Sequence, residues 1–313
     1  MAHATTVDNQ EKVSIIQRAL VGLGASGVAR VLVMPDTYHL GERALRDIRG
    51  HGPLPQIELL DMPVAGDAAD SEEAARRLAA AGAGCIIVLG GDGTARAVSK
   101  GCGAVPLLPI STGTNNVLPT FVEGTVAGLA AGALAAGLVD AEAVSYRHKW
   151  LEVRVEGEPR DRALVDVAVL RGQFLGARAV WQGEDIRQVI VTRAHPASIG
   201  ISAVAGMVRP VSVEEPAGLA LTLSADAHRR VRAALGPGLM VEVGVAAIRP
   251  LQLREAVAIA AEEPLVLALD GEREVTLRPG DRAAVVLRGD GPRIVSAPRT
   301  MERITVRRYF DRY

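Results

Sequence analysis

Residues 90–94, Gly-Gly-Asp-Gly-Thr, have the clearest chemical potential in this chain. They follow the continuously apolar residues 85–89 and precede a helical pattern over residues 95–100, which predicts a strand-to-helix turn with Thr94 as the N-cap. Three glycines let the backbone approach a ligand closely, and the helix N-terminus adds partial positive charge that favours phosphate. Asp92 suits work with Mg²⁺ or the acceptance of a proton from a hydroxyl. The alternative is a tight turn in which Asp92 only caps the helix.

A second polar loop follows the next predicted strand, residues 106–110, and consists of Ser111, Thr112, Gly113, Thr114, Asn115 and Asn116. In open α/β sheets, ligands bind beyond the carboxyl ends of the strands. We therefore expect the glycine turn and this loop to face one ligand. The alternative is structural: Ser111 and Thr112 would form a turn, and Asn116 would cap the helix that follows.

A third acidic candidate, Asp270-Gly271-Glu272, lies between two strand-like runs. A carboxylate with an ordinary pKa is ionised at neutral pH, so Glu272 is able to accept a hydroxyl proton or to hold Mg²⁺. Taken alone, the local sequence favours a simpler interpretation, a hairpin turn that requires Asp-Gly.

The pattern of elements changes at about residue 140. Before it, short β-branched runs at 29–34, 56–60, 85–89 and 106–110 alternate with helical patterns at 13–23, 40–49 and 70–81, which is typical of parallel strands joined by crossover helices. After it, strand-like segments dominate, at 149–155, 163–170, 219–223, 240–245, 265–269, 274–277 and 283–287. We predict an α/β domain with a parallel sheet over residues 1–140, which carries the glycine turn. A β-rich domain is predicted over residues 141–313, with a C-terminal tail able to return to the first domain.

Composition excludes several classes of partner. The 313 residues include 35 basic and 36 acidic side chains, so the net charge of −1 provides no global field for nucleic acid or an anionic membrane. Residues 126–139 are small and aliphatic but fall short of the ~20 residues that a spanning helix needs, which predicts a packing helix. Residues 1–12 are polar and only two cysteines are present. A cytoplasmic, reducing location is therefore expected.

The glycine turn together with residues 106–116, Pro-Leu-Leu-Pro-Ile-Ser-Thr-Gly-Thr-Asn-Asn, resembles the superfamily of NAD kinases and diacylglycerol or sphingosine kinases. The pattern is most similar to the ATP-NAD kinase-like proteins named after acetoin catabolism protein X. The resemblance covers most of the chain, more loosely after residue 140. It implies a NAD kinase-like fold, ATP and Mg²⁺ as cofactors, and NAD or another small hydroxyl compound as substrate. Related kinases are commonly homo-oligomers, so self-association is expected.

The resemblance also assigns roles residue by residue. It implies catalytic roles for Asp92, Asp270 and Glu272, and nucleotide binding by Gly90, Gly91, Gly93, Thr94, Ser111, Thr112, Gly113, Thr114, Asn115 and Asn116. Residues 163–167 resemble a NAD kinase segment in which an Asn-Glu pair binds the dinucleotide, but here Val165 replaces the Asn and Asp166 the Glu. Residues 198–206 resemble a Ser-Ala-Gly-Gly-Pro substrate loop, from which Ser202 and Ala203 are carried over. The residues that would hold the metal are not assigned.

These features predict an ATP- and Mg²⁺-dependent kinase that phosphorylates a hydroxyl, with the 2′-hydroxyl of the adenosine ribose of NAD as the favoured acceptor. Two alternatives stay open. Glu272 favours another small or lipid-like alcohol as the acceptor. The altered dinucleotide contacts favour a non-catalytic nucleotide-binding protein linked to acetoin catabolism. An oxidoreductase lacks support because no G-x-G-x-x-G follows the first predicted strand.

Overall fold

The computed structural model describes residues 7–46, 48, 53–113, 116–172 and 185–306, with the backbone alone at residues 272–274. Contacts between Cα atoms divide these residues into two compact units. The first unit contains the described residues within 5–113, 119–147 and 292–313, and the second contains those within 114–118 and 148–291. None of the helices in the described ranges has the length and hydrophobicity that a membrane crossing requires.

The first unit is an α/β structure with parallel strands, as predicted. Its strands are β1 (Arg30–Val33), β2 (Gln56–Leu59), β3 (Ile86–Gly90), β4 (Leu107–Ser111), β5 (Ser145–Arg147) and β17 (Arg293–Val295). Its helices are α1 (Asn9–Ala25), α2 (Leu40–Arg46), α3 (Ala68–Ala80), α4 (Asp92–Gly101), α5 (Gly124–Ala135), α6 (Ala141–Val144) and α8 (Ala297–Val306). Strands β1 and β2 form a parallel pair, and a second sheet has the order β3-β4-β17-β5 with only β5 antiparallel to its neighbour.

Helices α1 and α5 pack closely because glycines line their contact. A Cβ atom on Gly128 of α5 would lie 2.1 Å from the backbone oxygen of Ala19, and one on Gly22 of α1 would lie 2.3 Å from an α5 carbonyl oxygen. Gly124 and Gly132 lie one turn to either side of Gly128, on the same helix face. The prediction of a small-residue packing helix is therefore confirmed.

A largely apolar cavity of about 700 Å³ lies within the first unit, with both β1 and β3 in its walls. Aliphatic side chains from α1, β1, α3, β3 and α5 dominate the lining, for example Ile15, Val31, Leu78, Ile87 and Ala135. From the glycine turn, Thr94 contributes to the lining of this cavity. Nucleotide phosphates require donors and charge, so this cavity does not have the character of a phosphate site, and the candidate site depends on the loops instead.

The second unit is an antiparallel β structure with one helix in its described part, α7 (Ile201–Val208). A seven-stranded sheet has the order β11-β12-β10-β9-β8-β14-β15, and a four-stranded sheet has the order β13-β16-β6-β7. The strands are β6 (Trp150–Val155), β7 (Glu158–Ala163), β8 (Asp166–Arg171), β9 (Ile186–Val191), β10 (Ala217–Leu223), β11 (Arg230–Gly236), β12 (Leu239–Gln252), β13 (Ala256–Ala260), β14 (Leu265–Leu269), β15 (Glu272–Leu277) and β16 (Arg282–Arg288).

Strand β8 shows why the sequence after residue 140 contains continuous apolar runs. Val167 and Val169 face the core shared with the four-stranded sheet, whereas Ala168 and Leu170 face the core on the α7 side. Both faces of the strand are thus buried, so apolar residues do not alternate with polar ones. The predicted strand over residues 163–170 is wrong in one respect: a turn at Leu164 and Val165 separates β7 from β8.

Candidate functional site

The glycine turn joins β3 to α4 as predicted, but the helix starts earlier than expected. The N-cap is Gly91, which makes no side-chain capping bond, so Asp92, Gly93 and Thr94 are the first three helical residues. The prediction of Thr94 as the N-cap is wrong. Backbone N–H groups at the start of a helix have no partner within it, so this end of α4 presents donors and partial positive charge. The Asp92 side chain is buried there.

Gly90 is required by the way Thr94 folds back over the end of β3. A Cβ atom at Gly90 would lie 2.5 Å from the Thr94 hydroxyl oxygen and 2.6 Å from the Thr94 Cβ. Any larger residue at this position would displace Thr94. The glycine therefore fixes the entry to α4.

The second loop lies beside the first. Gly90 and Ser111 are register partners in the parallel ladder of β3 and β4, and the Thr112 amide donates to the Gly90 carbonyl at 3.3 Å. The Ser111 hydroxyl donates to the Gly113 carbonyl at 2.8 Å, so it also stabilises the turn. Both loops thus leave the same edge of one sheet, the arrangement that binds ligands in open α/β sheets.

The structural alternative for the second loop does not hold at the far end of that loop. Thr114 and Asn115 lie outside the described residues, and Asn116 is grouped with the second unit. Asn116 caps no helix: α5 begins at Gly124, and its N-cap Glu123 accepts bonds from the amides of Thr125 and Val126. The alternative interpretation of Asn116 as a helix cap is therefore wrong, and its role in nucleotide binding stays a prediction.

Arg96 is a buried cation near the glycine turn that sequence reasoning missed. It lies four residues after Asp92 on α4, so the two side chains project from the same side of the helix. The sequence signal that could have indicated it is the spacing of four residues between the acidic Asp92 and the basic Arg96 in a predicted helix. Among the described residues, no three His, Cys, Asp or Glu side chains cluster in a way that would hold a metal ion.

In the second unit, Asp270 and Gly271 form the two-residue turn between β14 and β15. Their φ angles are +51° and +81°, the left-handed values of a type I′ hairpin. The Asp270 carboxylate accepts bonds from three backbone amides, those of Leu164 at 2.9 Å, Val165 at 2.7 Å and Asp166 at 3.2 Å. Asp270 and Asp166, predicted separately, are therefore brought together. The Glu272 side chain lies outside the described part.

The carbonyl groups of the same turn are also bonded. The Leu164 carbonyl accepts from Thr192 Oγ1 at 2.7 Å and lies 2.9 Å from His148 Nε2, while the Val165 carbonyl accepts from the Thr192 amide at 2.9 Å. His148 is fully buried, and this burial lowers its pKa to about 3. A neutral imidazole that donates from Nε2 thus holds the turn from one side.

The substrate-loop candidates lie on a helix. Ser202 and Ala203 belong to the first turn of α7, whose N-cap Gly200 makes no side-chain capping bond. Ala203 packs in the apolar core. Ser202 is fully buried, and its hydroxyl makes no hydrogen bond within the described part of the chain. A buried hydroxyl without a partner costs free energy.

Lys149 is a second buried cation that no local pattern indicated. Its Nζ donates to the carbonyls of Ser212 at 2.9 Å, Glu215 at 2.6 Å and Ala217 at 2.6 Å. Burial lowers its pKa to about 8, so it is still protonated at neutral pH. With all three N–H bonds directed at carbonyls, Lys149 joins the residue before β6 to the segment that leads into β10 and to the first residue of β10, and so acts as a structural residue.

Comparisons with known proteins agree with this architecture. The fold matches that of yeast NADH kinase, crystallised with NADH, at a TM-score of 0.54 and 16% identity, over 95% of this chain and 85% of that one. Residues 16–138 match the ATP-NAD kinase N-terminal domain, and residues 149–290 match the acetoin catabolism protein X C-terminal domain. The class is thus a NAD kinase-like fold with parallel α/β and antiparallel β parts, and the domain match supports a kinase.

One curated relative is similar along most of the chain. Acetoin catabolism protein X of Cupriavidus necator is 40% identical over 297 residues, which are 92% of this chain and 82% of that protein. The chain therefore belongs to the acetoin catabolism protein X family.

Proposed function

We propose that this protein is an ATP-dependent kinase that transfers the terminal phosphoryl group to a hydroxyl, with NAD as the favoured acceptor. The observation that carries the proposal is the pairing of two glycine-containing loops at one sheet edge, Gly90 beside Ser111, with Asp92 buried in the first turn of α4, whose N-cap is Gly91. Phosphoryl transfer needs positioned phosphates and neutralised charge more than covalent chemistry from the protein. The start of α4 supplies donors for those phosphates.

Asp92 is the group proposed to act on the acceptor. As the acceptor oxygen bonds to the γ-phosphorus, the bond from that phosphorus to the β–γ bridging oxygen breaks and ADP leaves. The hydroxyl proton passes to the Asp92 carboxylate, which is then restored by solvent. A carboxylate beside a phosphate-binding turn repels the nucleotide unless it takes up a proton or helps to hold Mg²⁺, and the first of these roles belongs to turnover.

Mg²⁺ fits the donor set at this turn. In phosphoryl-transfer enzymes it commonly uses one or two carboxylates together with substrate phosphates and waters rather than an all-protein cage. A single buried Asp92, without a cluster of three ligating side chains in the described residues, is consistent with that arrangement. When bound, Mg²⁺ would neutralise phosphate charge.

Within the second unit, Asp166 and the start of α7 are the groups proposed to contact the acceptor. Asp166 is buried at the start of β8, and Val165 is buried as well, so the carboxylate is the group of the altered Asn-Glu pair that keeps hydrogen-bonding capacity. Two hydroxyls of a ribose are natural partners for it. Self-association and a cytoplasmic location stay predictions from the resemblance and the sequence.

The proposal is tested by incubating the protein with ATP, Mg²⁺ and NAD and separating the products by chromatography. We expect NADP and ADP in equal amounts, and neither when ATP or Mg²⁺ is omitted. Bound ATP without NADP, followed by ADP formation with a polyol, ketol or lipid-like alcohol, would move the assignment to that acceptor. Bound ATP with no product from any acceptor would support the non-catalytic alternative.

A further inference from the structure

We infer that Asp270 is a positioning residue, which holds the 164–166 turn so that Asp166 is presented to the acceptor. The inference rests on the proposed function and deepens it, because it assigns the acid of the hairpin to the acceptor's binding rather than to proton transfer. Both oxygens of the Asp270 carboxylate accept backbone amides, and this arrangement suits positioning rather than proton transfer.

Both carboxylate oxygens of Asp270 are used by the turn. Oδ2 accepts the Leu164 amide, and Oδ1 accepts the amides of Val165 and Asp166. The Asp270 amide in turn donates to the Asp166 carbonyl at 3.0 Å. The two segments are therefore joined by four bonds, three of them to one carboxylate group, and hydrogen bonds that carboxylates accept from backbone amides are among the stronger ones.

The backbone conformation at the hairpin supports this role. Asp270 has a φ of +51°, a region that Asp and Asn visit more readily than most other residues. Gly271 follows at +81°. The turn type places the Asp270 side chain back over the β7–β8 connection, where its acceptors meet the three amides. The hairpin thus acts as a clamp on a segment that is about a hundred residues away in the chain.

Opposing contacts leave the clamped turn little freedom. The Thr192 hydroxyl donates to both the Leu164 and the Val165 carbonyls. His148, just before β6, donates to the Leu164 carbonyl as well. With amides held by Asp270 and carbonyls held by Thr192 and His148, the start of β8 is fixed. The backbone of Asp166 is consequently held in one place, which lowers the entropic cost of ordering this segment when a substrate binds there.

A base in the reaction would have to take up a proton, and at Asp270 that proton would compete with three N–H donors for the same oxygens. Loss of those bonds would leave buried amides without acceptors at every turnover, at a substantial cost in free energy. Positioning requires no such change. Proton transfer by Asp270 and positioning by Asp270 therefore differ in whether its bonds to the three amides must break, and this difference can be measured.

The test uses the full chain with Asp270→Asn and Asp270→Ala, and Asp281→Asn as the matched control. Asp281 accepts the Arg278 amide at 2.7 Å in an exposed turn of the same unit, so its substitution removes a similar bond elsewhere. The first readout is hydrogen exchange at the amides of residues 164–166. We expect exchange to be slowest in the parent and the Asp281→Asn control, faster in Asp270→Asn and fastest in Asp270→Ala, because Asn keeps one acceptor oxygen and Ala keeps none.

The second readout is steady-state kinetics of NADP formation. Asp270→Asn should raise the KM for NAD by roughly ten- to a hundredfold, the size of effect seen for groups that orient metal-ligating residues, with kcat and the acid limb of its pH profile nearly unchanged. Adding Asp270→Asn to Asp166→Asn should add little, since both act through one carboxylate. Loss of kcat with KM unchanged would overturn the inference.

The exchange experiment separates this inference from the proposed function. If the parent protein makes no NADP and binds no NAD, the proposed acceptor fails, and graded exchange at residues 164–166 would still support the clamp. If exchange there is the same in all the variants, Asp270 does not hold the turn and the inference is overturned, whatever the activity.

Discussion

Single residues in the second unit show how far side-chain roles follow from sequence. The Asp-Gly pair at 270–271 predicts a hairpin, and the structure contains it. The hydrogen-bond partners of the Asp270 carboxylate could not be predicted, because they lie about a hundred residues earlier in the chain. The apolar residues of that segment indicate a continuous strand rather than a turn. Likewise, nothing local marks His148 or Lys149 as buried, since their partners are carbonyls supplied by distant turns.

His148 leads to a prediction about acid stability. In the unfolded chain a histidine binds a proton below about pH 6.5, whereas in the folded protein burial lowers the pKa of His148 to about 3. Between these values the unfolded state binds more protons, so the free energy of unfolding falls as the pH falls, by up to about 1.4 kcal/mol per pH unit from this group. The contribution is fully present above pH 6.5.

Replacing His148 with Gln should therefore flatten the acid limb of the stability curve. The measurement is the urea midpoint of the parent and of His148→Gln at several pH values between 7.5 and about 4, with His195→Gln as control. His195 lies in an exposed position, so its variant should follow the parent. Parallel pH dependences for the parent and His148→Gln would contradict the assignment of a buried neutral imidazole.

At the scale of elements, the strands and helices that position the glycine turn follow from local patterns. Apolar runs indicate β3 and β4 to within a residue or two, and their observed bounds are Ile86–Gly90 and Leu107–Ser111. The start of α4 is not predicted correctly because the Asp92-Gly93-Thr94 segment contains poor helix formers, yet these residues are helical in the structure. Helix propensity alone therefore does not predict where α4 begins.

The α1–α5 contact carries a prediction of its own. Ala is the better helix former by about 1 kcal/mol, so propensity alone would make Gly128→Ala stabilising. A Cβ at Gly128 would lie 2.1 Å from the Ala19 oxygen, however, and separating two helices costs typically 1–3 kcal/mol or more. We expect a net loss of about 1–2 kcal/mol in the free energy of unfolding.

Denaturant unfolding followed by far-UV circular dichroism measures this change. Gly236→Ala is the matched control, because its nearest neighbour atom would lie at an ordinary 3.8 Å. That variant should stay within about 0.5 kcal/mol of the parent, as substitutions without new strain usually do. A Gly128→Ala protein as stable as the parent would show that α1 and α5 have room to separate.

At the scale of the whole molecule, the two-part organisation was accessible to sequence analysis because strand and helix periodicities differ along the chain. The local sequence pattern does not predict the strand and helix, β17 and α8, with which the chain rejoins the first unit. Strand β17 is three residues long and lies between β4 and β5, which are remote from it in sequence. Short strands of this kind depend on their neighbours for both hydrogen bonds and burial. The paired loops at the β3–β4 edge, by contrast, follow directly from adjacent parallel strands.

The central claim is that Asp92 acts on the acceptor in a phosphoryl transfer, and the most direct measurement is kcat for NADP formation by Asp92→Asn. The control is Asp61→Asn, which makes the same substitution at an exposed aspartate of the first unit. Loss of a general base should lower kcat by about 10²–10⁴-fold at saturating ATP and Mg²⁺, while Asp61→Asn keeps the parent rate. An Asp92→Asn protein that makes NADP at the parent rate would contradict the account.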